Sequence, residues 1–273
     1  MLQRKTVEIA QDTWLISEFN LVNSFLLVGS DRCLLIDCGL GLGNLLEDIR
    51  KITEKPVQAV LTHGHFDHIG GSALFETIAL HPSDHAQFKR WYQELIETEL
   101  LNQYIRTRLP VRDPQADPEE LIGLPRNFGE YHLSVCEDGT VFSLGNREIE
   151  TIHTPGHTQG SLCFLDSQNK ILFSGDMCNE ESLLLNFPDS ASVKTYHESM
   201  QKIWQRSAEF EVLAPGHSPL KVFAKQLIQD YIRASAELVS GSVALESGQN
   251  TMHSGYKYQS GNILIWYDPA KLQ

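Results

Sequence analysis

Residues 62–71 read THGHFDHIGG and place His63, His65, Asp67 and His68 within six positions. Imidazole and carboxylate donors at that density suit Zn²⁺, and also iron or manganese. The segment directly follows the apolar run Val57–Leu61, so these side chains project together from the end of a strand. Four donors from so short a stretch exceed what one tetrahedral catalytic ion takes from a single loop, which points to two ions. Three further loops carry residues of the same kind: His157 in TPGHTQGS, Asp176 in FSGDMC and His217 in APGHSP. A Pro-Gly pair before His157 and another before His217 set sharp turns. One PGH loop alone says little. Two of them, with a strand-end Gly-Asp and the HxHxDH run, form a constellation.

The elements that must position these residues alternate between strands and helices. The pattern predicts strands at Thr13–Ser17, Ser24–Val28, Cys33–Asp37, Val57–Leu61 and Thr77–Leu80, with Gly29-Ser30-Asp31-Arg32 closing a hairpin between the second and third. A helix is expected near Leu45–Ile52. Another, from Ser83 to about Leu109, has Phe88, Trp91, Leu95 and Leu101, Ile105, Leu109 at helical spacing. Residues 110–129, rich in proline and aspartate, read as irregular. Strands resume at Thr140–Ser143, Glu148–Ile152, Ser161–Leu165, Ile171–Ser174 and Val212–Ala214. Helices are predicted at Ser192–Ala208, with Ser192 as N-cap, and Leu220–Val239, and a last strand at Asn262–Tyr267. Without strict βαβ alternation, the rhythm implies an α/β (α+β) chain of two mixed sheets packed together with helices outside.

Composition narrows the function. The 273 residues hold 22 Lys+Arg against 35 Asp+Glu, a formal net charge of -13, which disfavours binding to nucleic acid. No apolar run reaches the roughly 20 residues of a membrane span, and the N-terminal segment lacks the apolar stretch of a secretory signal. Five scattered cysteines without a CxxC read as reduced, mostly buried thiols. These features together lead to the expectation of a cytoplasmic protein with no membrane partner.

The set THGHFDH, PGHTQGS, SGD and PGH, in that order from Asn23 to Pro219, resembles the metallo-β-lactamase superfamily of metal-dependent hydrolases. The resemblance implies a four-layer αββα sandwich, here one domain over residues 1–273 with a helical insertion around 83–129. It implies a dinuclear site, most simply of zinc, with iron or manganese as the other candidates. His63, His65 and His157 would bind the first metal, Asp67, His68 and His217 the second, and Asp176 would bridge them. The implied reaction is attack of a metal-bridging hydroxide on an ester, thioester or lactone carbonyl, with Asp67 orienting the hydroxide and taking its proton. Asp37, at the strand end of LLIDCG, would accept a ligand histidine's N–H or else cap its turn, and Thr62 and Thr158 are candidates for similar support. Cys178 reads as a buried thiol, and His81, His85, His132, His153, His197 and His253 as surface or packing residues. Within that family Asp176 argues against a true β-lactamase, and the full set of seven candidate ligands resembles that of glyoxalase II-like thioesterases, acyl-homoserine lactonases and some phosphodiesterases.

Other readings are an iron redox enzyme of the same fold and a metal-stabilised scaffold. Retention of all seven candidate ligands weighs against both. The 83–129 segment carries Lys89, Arg90, Arg106, Arg108 and Arg112 among Trp91, Tyr92 and Tyr104. It reads as a wall that attracts a small anionic or acyl-bearing substrate, as a solvated helix face, or as the surface of a homodimer.

Overall fold

A computed structural model describes residues 3–180, 182–218, 220–249 and 254–273. Short runs of β-branched, aliphatic and aromatic residues build a first sheet of seven strands in chain order. They are β1 (Lys5–Ala10), β2 (Thr13–Glu18), β3 (Val22–Val28), β4 (Cys33–Ile36), β5 (Val57–Val60), β6 (Ile78–Leu80) and β7 (Leu133–Val135). Pairing is antiparallel up to β4 and parallel from β4 to β7. The expected β3–β4 hairpin sets Val28 opposite Cys33, and Gly29 N–H donates to Arg32 O at 3.0 Å.

The second half supplies β8 (Val141–Ser143), β9 (Glu148–His153), β10 (Leu162–Asp166), β11 (Ile171–Gly175), β12 (Leu183–Leu185), β13 (Val212–Pro215) and β14 (Phe223–Ala224). All but β12 form the second sheet, in the order β14-β13-β11-β10-β9-β8. Strand β12 instead pairs with β17 (Ile263–Tyr267), next to β16 (Ser254–Ser260) and β15 (Glu246–Gln249), in a small third sheet. The two-sheet expectation did not include this addition.

Between the two large sheets lies an apolar layer of Phe25, Leu27, Leu34 and Ile36 facing Leu162, Phe164 and Phe173. The outer face of the first sheet is covered by α1 (Leu45–Arg50) and, after the short α2 (Phe66–Ile69), by α3 (His85–Glu97), α4 (Leu100–Arg112) and α5 (Pro118–Ile122). Helices α6 (Val193–Gln205) and α7 (Leu227–Val239) cover the second. The result is the αββα sandwich. Ser192 caps α6 as expected, its Oγ accepting from Thr195 N–H at 3.0 Å.

Three local expectations are corrected. The helix predicted from Ser83 to Leu109 is two helices, broken where Thr98 turns extended (φ -124°, ψ 172°). The Thr98 hydroxyl donates to Glu94 O at 2.7 Å and accepts from Leu100 N–H at 3.1 Å, an alternative to the helical ladder. Residues 110–129 are also not wholly irregular, since α4 continues to Arg112 and α5 starts at an Asp117 cap. The helix predicted from Leu220 begins at Leu227, because Phe223–Ala224 pairs with β13. The stretch between β6 and β7 is the crossover of a parallel pair, so it completes the outer layer as well as standing over the sheet edge.

Arg147 ties the two large sheets together. Only 4% exposed, it pairs with Asp166 on β10 and donates to Thr13 Oγ1 (2.7 Å) on β2 and to Asp12 O (3.0 Å). Arg147→Met would leave the Asp166 carboxylate buried without its cation, and urea unfolding should register a loss of about 3–5 kcal/mol.

Candidate metal centre

All seven predicted side chains arrive at one edge of the sandwich. Strand β5 ends at the THGHFDH segment, β9 and β10 are joined by the His157 loop, β11 ends at Asp176 and β13 at His217. The two halves are clasped there. Asn23 on β3 donates its backbone N–H to Gly216 O (2.8 Å) and its Nδ2 to Pro215 O (3.2 Å) and Ser218 O (3.0 Å). Gly216 is required for a reason of space: a Cβ there would lie 2.6 Å from Asp176 Oδ1 and 2.7 Å from His68 Cε1.

Donor atoms cluster in three overlapping groups, His63/His65/His157, His63/His68/Asp176 and Asp67/His68/His217, each within 4.8 Å. Asp176 stands between the groups, with Oδ1 at 3.6 Å from His68 Nε2, and Oδ2 at 3.2 Å from His217 Nε2 and 3.7 Å from His157 Nε2. Asp67 Oδ2 lies 3.2 Å from His217 Nε2.

Outer contacts fix which nitrogen of each ring faces inward. His157 Nδ1 donates to Leu184 O (2.8 Å), His217 Nδ1 to Leu21 O (2.7 Å) and His68 Nδ1 to Asp37 Oδ2 (2.9 Å). His63 Nδ1 lies 3.0 Å from Thr62 Oγ1, which in turn donates to Asp37 Oδ2 at 2.9 Å. These four rings therefore turn Nε2 inward. His65 is reversed: its Nδ1 faces His157 Nε2 at 2.8 Å, while its Nε2 points toward Asp189 Oδ2 at 3.7 Å. His63 Nε2, His68 Nε2 and Asp176 Oδ1 are buried without a hydrogen-bond partner among the described residues. Native proteins seldom leave such atoms unsatisfied, and a pair of divalent cations between them would supply the missing partner. The donor set fits that group.

Asp37 takes a left-handed backbone (φ 64°) at the end of β4 and also accepts Thr62 N–H at 2.7 Å. The contact expected of it, with the N–H of one of the clustered histidines, is present. Thr158 donates to Asp84 Oδ2 at 2.7 Å. Asp84 was missed in the sequence, where Ser83-Asp84 reads only as a helix start. Its carboxylate also accepts Gly64 N–H (3.0 Å) and Gly160 N–H (2.7 Å), so one buried group holds both the HxHxDH loop and the His157 loop. Asp189, in FPDS, has no motif in the sequence that marks it as a neighbour of His65. Cys178 is buried with Sγ 3.9 Å from Met200 Sδ, and burial pushes its thiol up. All five cysteines are buried free thiols. His81 stacks on His153 (3.9 Å, 9°), His85 contacts Leu80 O and His197 contacts Ser235, away from the cluster. His253 lies outside the described residues.

Beside the cluster opens a cavity of about 230 Å³, lined by Phe66, Trp91, Tyr104, Arg108, Arg112, Asn179, Leu184 and Phe187 together with Asp67, Asp176 and His217. The Tyr104 hydroxyl makes no hydrogen bond among the described residues, and burial with the charge of Asp67 keeps it protonated.

A family model described as the metallo-beta-lactamase superfamily matches residues 18–217. The chain belongs to this superfamily. It is a hydrolase of that group. It is 33% identical over 217 residues to the acyl-coenzyme A thioesterase MBLAC2 of Gallus gallus, covering 72% of this chain and 73% of that one. To the acyl-coenzyme A thioesterase MBLAC2 of Homo sapiens it is 34% identical over 177 residues, 60% of this chain and 61% of the relative. Among solved structures, a metallo-beta-lactamase from Pontibacter korlensis superposes with a TM-score of 0.60 at 19% identity, covering 86% of this chain and 99% of that one. Among the described residues no helix is long and apolar enough to cross a membrane.

Charge within the metal-free cluster sets its response to pH. Burial opposes protonation of His68, yet Asp37, Asp67 and Asp176 raise it to about 8. Burial likewise opposes protonation of His217, yet Asp176 and Asp67 raise it to about 10. Burial and the neighbouring His65 lower His157 to about 4. A raised histidine stabilises the fold fully below its unfolded value near 6.5 and loses that contribution as pH climbs through the folded one. A lowered histidine weakens the fold as pH drops below 6.5. The metal-free protein should thus melt highest near pH 6.5 and at falling temperatures toward both pH 4 and pH 10, in calorimetry with chelator at fixed ionic strength. Asp84→Asn, which puts an amide donor into a carboxylate site where three donors converge, should weaken Zn²⁺ binding roughly ten- to a hundredfold in dye competition.

Proposed function

We propose that this chain hydrolyses thioesters of the acyl-coenzyme A kind with two divalent cations, most simply zinc. The observation that carries this reading is the meeting of seven donor side chains beside an aromatic-walled cavity. The named activity of the MBLAC2 relatives supports the choice of thioester. His63, His65 and His157 would hold one ion, Asp67, His68 and His217 the other, with Asp176 shared. Bound there, the pair of cations supplies Lewis acidity and a water acidified toward neutral pH.

The protein's own groups do the rest. Burial works against ionisation of Asp67, but His68 and His217 hold its carboxyl below the usual range. It is therefore ionised at neutral pH, able to orient the attacking water and accept its proton. Asp37, through Thr62 and His68, keeps two rings turned toward the site. Phe66, Trp91, Leu184 and Phe187 form the wall on which an acyl chain excludes water. Asn179, whose Oδ1 accepts His217 N–H at 3.2 Å, braces the far side.

Purified chain supplied with Zn²⁺ should release free thiol from acyl-coenzyme A, and dipicolinate should abolish the release. Asp67→Asn should lower kcat about 10²–10⁴-fold. Absence of thiol release across short and long acyl chains, with metal bound at two ions per chain, would overturn the reading.

A further inference from the structure

His65 stands apart from the other four clustered histidines. His63, His68, His157 and His217 each turn Nδ1 outward to an oxygen of the protein, so each has its proton placed before any cation arrives. His65 turns Nδ1 inward instead, 2.8 Å from His157 Nε2. The His157 proton is committed to Leu184 O, so without a cation the hydrogen between these two rings belongs to His65 Nδ1. A cation held by that nitrogen takes the hydrogen's place, and a neutral ring then carries its hydrogen on Nε2. His65 is therefore the ring that must change tautomer to become a ligand.

Its Nε2 is buried and has no hydrogen-bond partner among the described residues. The group it faces is the Asp189 carboxylate, with Oδ2 at 3.7 Å. That is beyond hydrogen-bond length, as expected while the hydrogen sits on the other nitrogen. Asp189 belongs to a loop tied to the same part of the centre. Its backbone carbonyl accepts Gln159 N–H (3.2 Å), Ser190 Oγ donates to His157 O (2.8 Å), and Ala191 N–H donates to Gly156 O (2.8 Å). Lys271 Nζ gathers the carbonyls of Phe187 (2.9 Å), Pro188 (2.8 Å) and Ser190 (3.1 Å) around it. From the opposite side Arg90, on α3, donates to the same Oδ2 at 3.3 Å. The Asp189 side chain is only 19% exposed, so it is a largely dry acceptor held by its loop and balanced by a guanidinium.

We propose that Asp189 is a positioning residue for His65. It accepts Nε2–H of the metal-binding tautomer and so favours the form whose Nδ1 lone pair faces the cluster. The assignment rests on the metal centre of the proposed function and not on the choice of thioester. A carboxylate behind a ligand imidazole fixes the orientation of the ring and raises the basicity of the ligating nitrogen. Asp37 stands in that relation to His68, and Asp189 takes the same part for His65.

The test reads protons and metal rather than turnover. Full-length chain carrying isotopically labelled histidine is loaded with zinc and followed by long-range proton–nitrogen NMR, the His65 ring being assigned through its contacts with Phe187 and Trp91. Wild type should show Nδ1 bound to metal and a slowly exchanging Nε2–H. In Asp189→Ala that hydrogen should exchange with water much faster, and zinc should bind about tenfold more weakly in dye competition. Asp189→Asn keeps an acceptor oxygen and should lie between the two. Arg90→Ala leaves the carboxylate in place and should keep the protected Nε2–H. Melting temperatures establish that each variant is folded. Metal on His65 Nε2 in wild type, unchanged exchange or unchanged zinc affinity in Asp189→Ala, or an equal loss of protection in Arg90→Ala would each overturn the assignment. Any of these with thiol still released from acyl-coenzyme A would leave the thioesterase reading intact. The expected NMR and zinc results without hydrolysis of any thioester would do the reverse.

Discussion

Five imidazoles and two carboxylates occupy one buried volume at the sandwich edge, several with lone pairs turned toward each other and no protein donor between them. His65 Nδ1 and His157 Nε2 face each other at 2.8 Å although the proton on His157 is committed to Leu184 O. Such an arrangement stays together only if a proton or a cation sits between the facing atoms. Much of the surrounding structure makes sense as the means of imposing it. Asp37 accepts left-handed backbone geometry so that it can receive Thr62 and His68 at once.

The sheets perform this work through the direction of their strands. Parallel pairs β4–β5 and β11–β13 send the chain toward the same edge, so Asp37, the HxHxDH segment, Asp176 and His217 are all delivered by strand ends. The outer helices supply stability on one face and chemistry on another. In α4, Leu101, Ile105 and Leu109 are buried in the core while Tyr104, Arg108 and Arg112 line the cavity. One helix thus packs the layer and shapes the wall, because its two stripes are about a quarter-turn apart.

The candidate ligands were readable in the sequence because imidazoles and carboxylates stood in tight motifs after recognisable strands. The large sheets were readable because central strands such as β4 and the Phe25–Val28 half of β3 are apolar runs buried on both faces. Less visible were β1, an exposed edge strand, the three-residue β7 and β12, and the polar β15 and β16, whose places are set by partners rather than by pattern. The break at Thr98 was hidden because apolar spacing resumes on its far side and one hydroxyl makes the difference. Asp84 was hidden for a similar reason. An aspartate at a helix start usually satisfies the helix itself, and only the tertiary fold reveals that its donors come from two distant loops.

That shared carboxylate has a mechanical consequence. Gly64 sits between His63 and His65, and Thr158 directly follows His157, so slack in either loop is transmitted to the other through that carboxylate. Fraying on one side cannot remain local. The three-histidine half of the centre is built to hold its shape, or to come apart, as one piece.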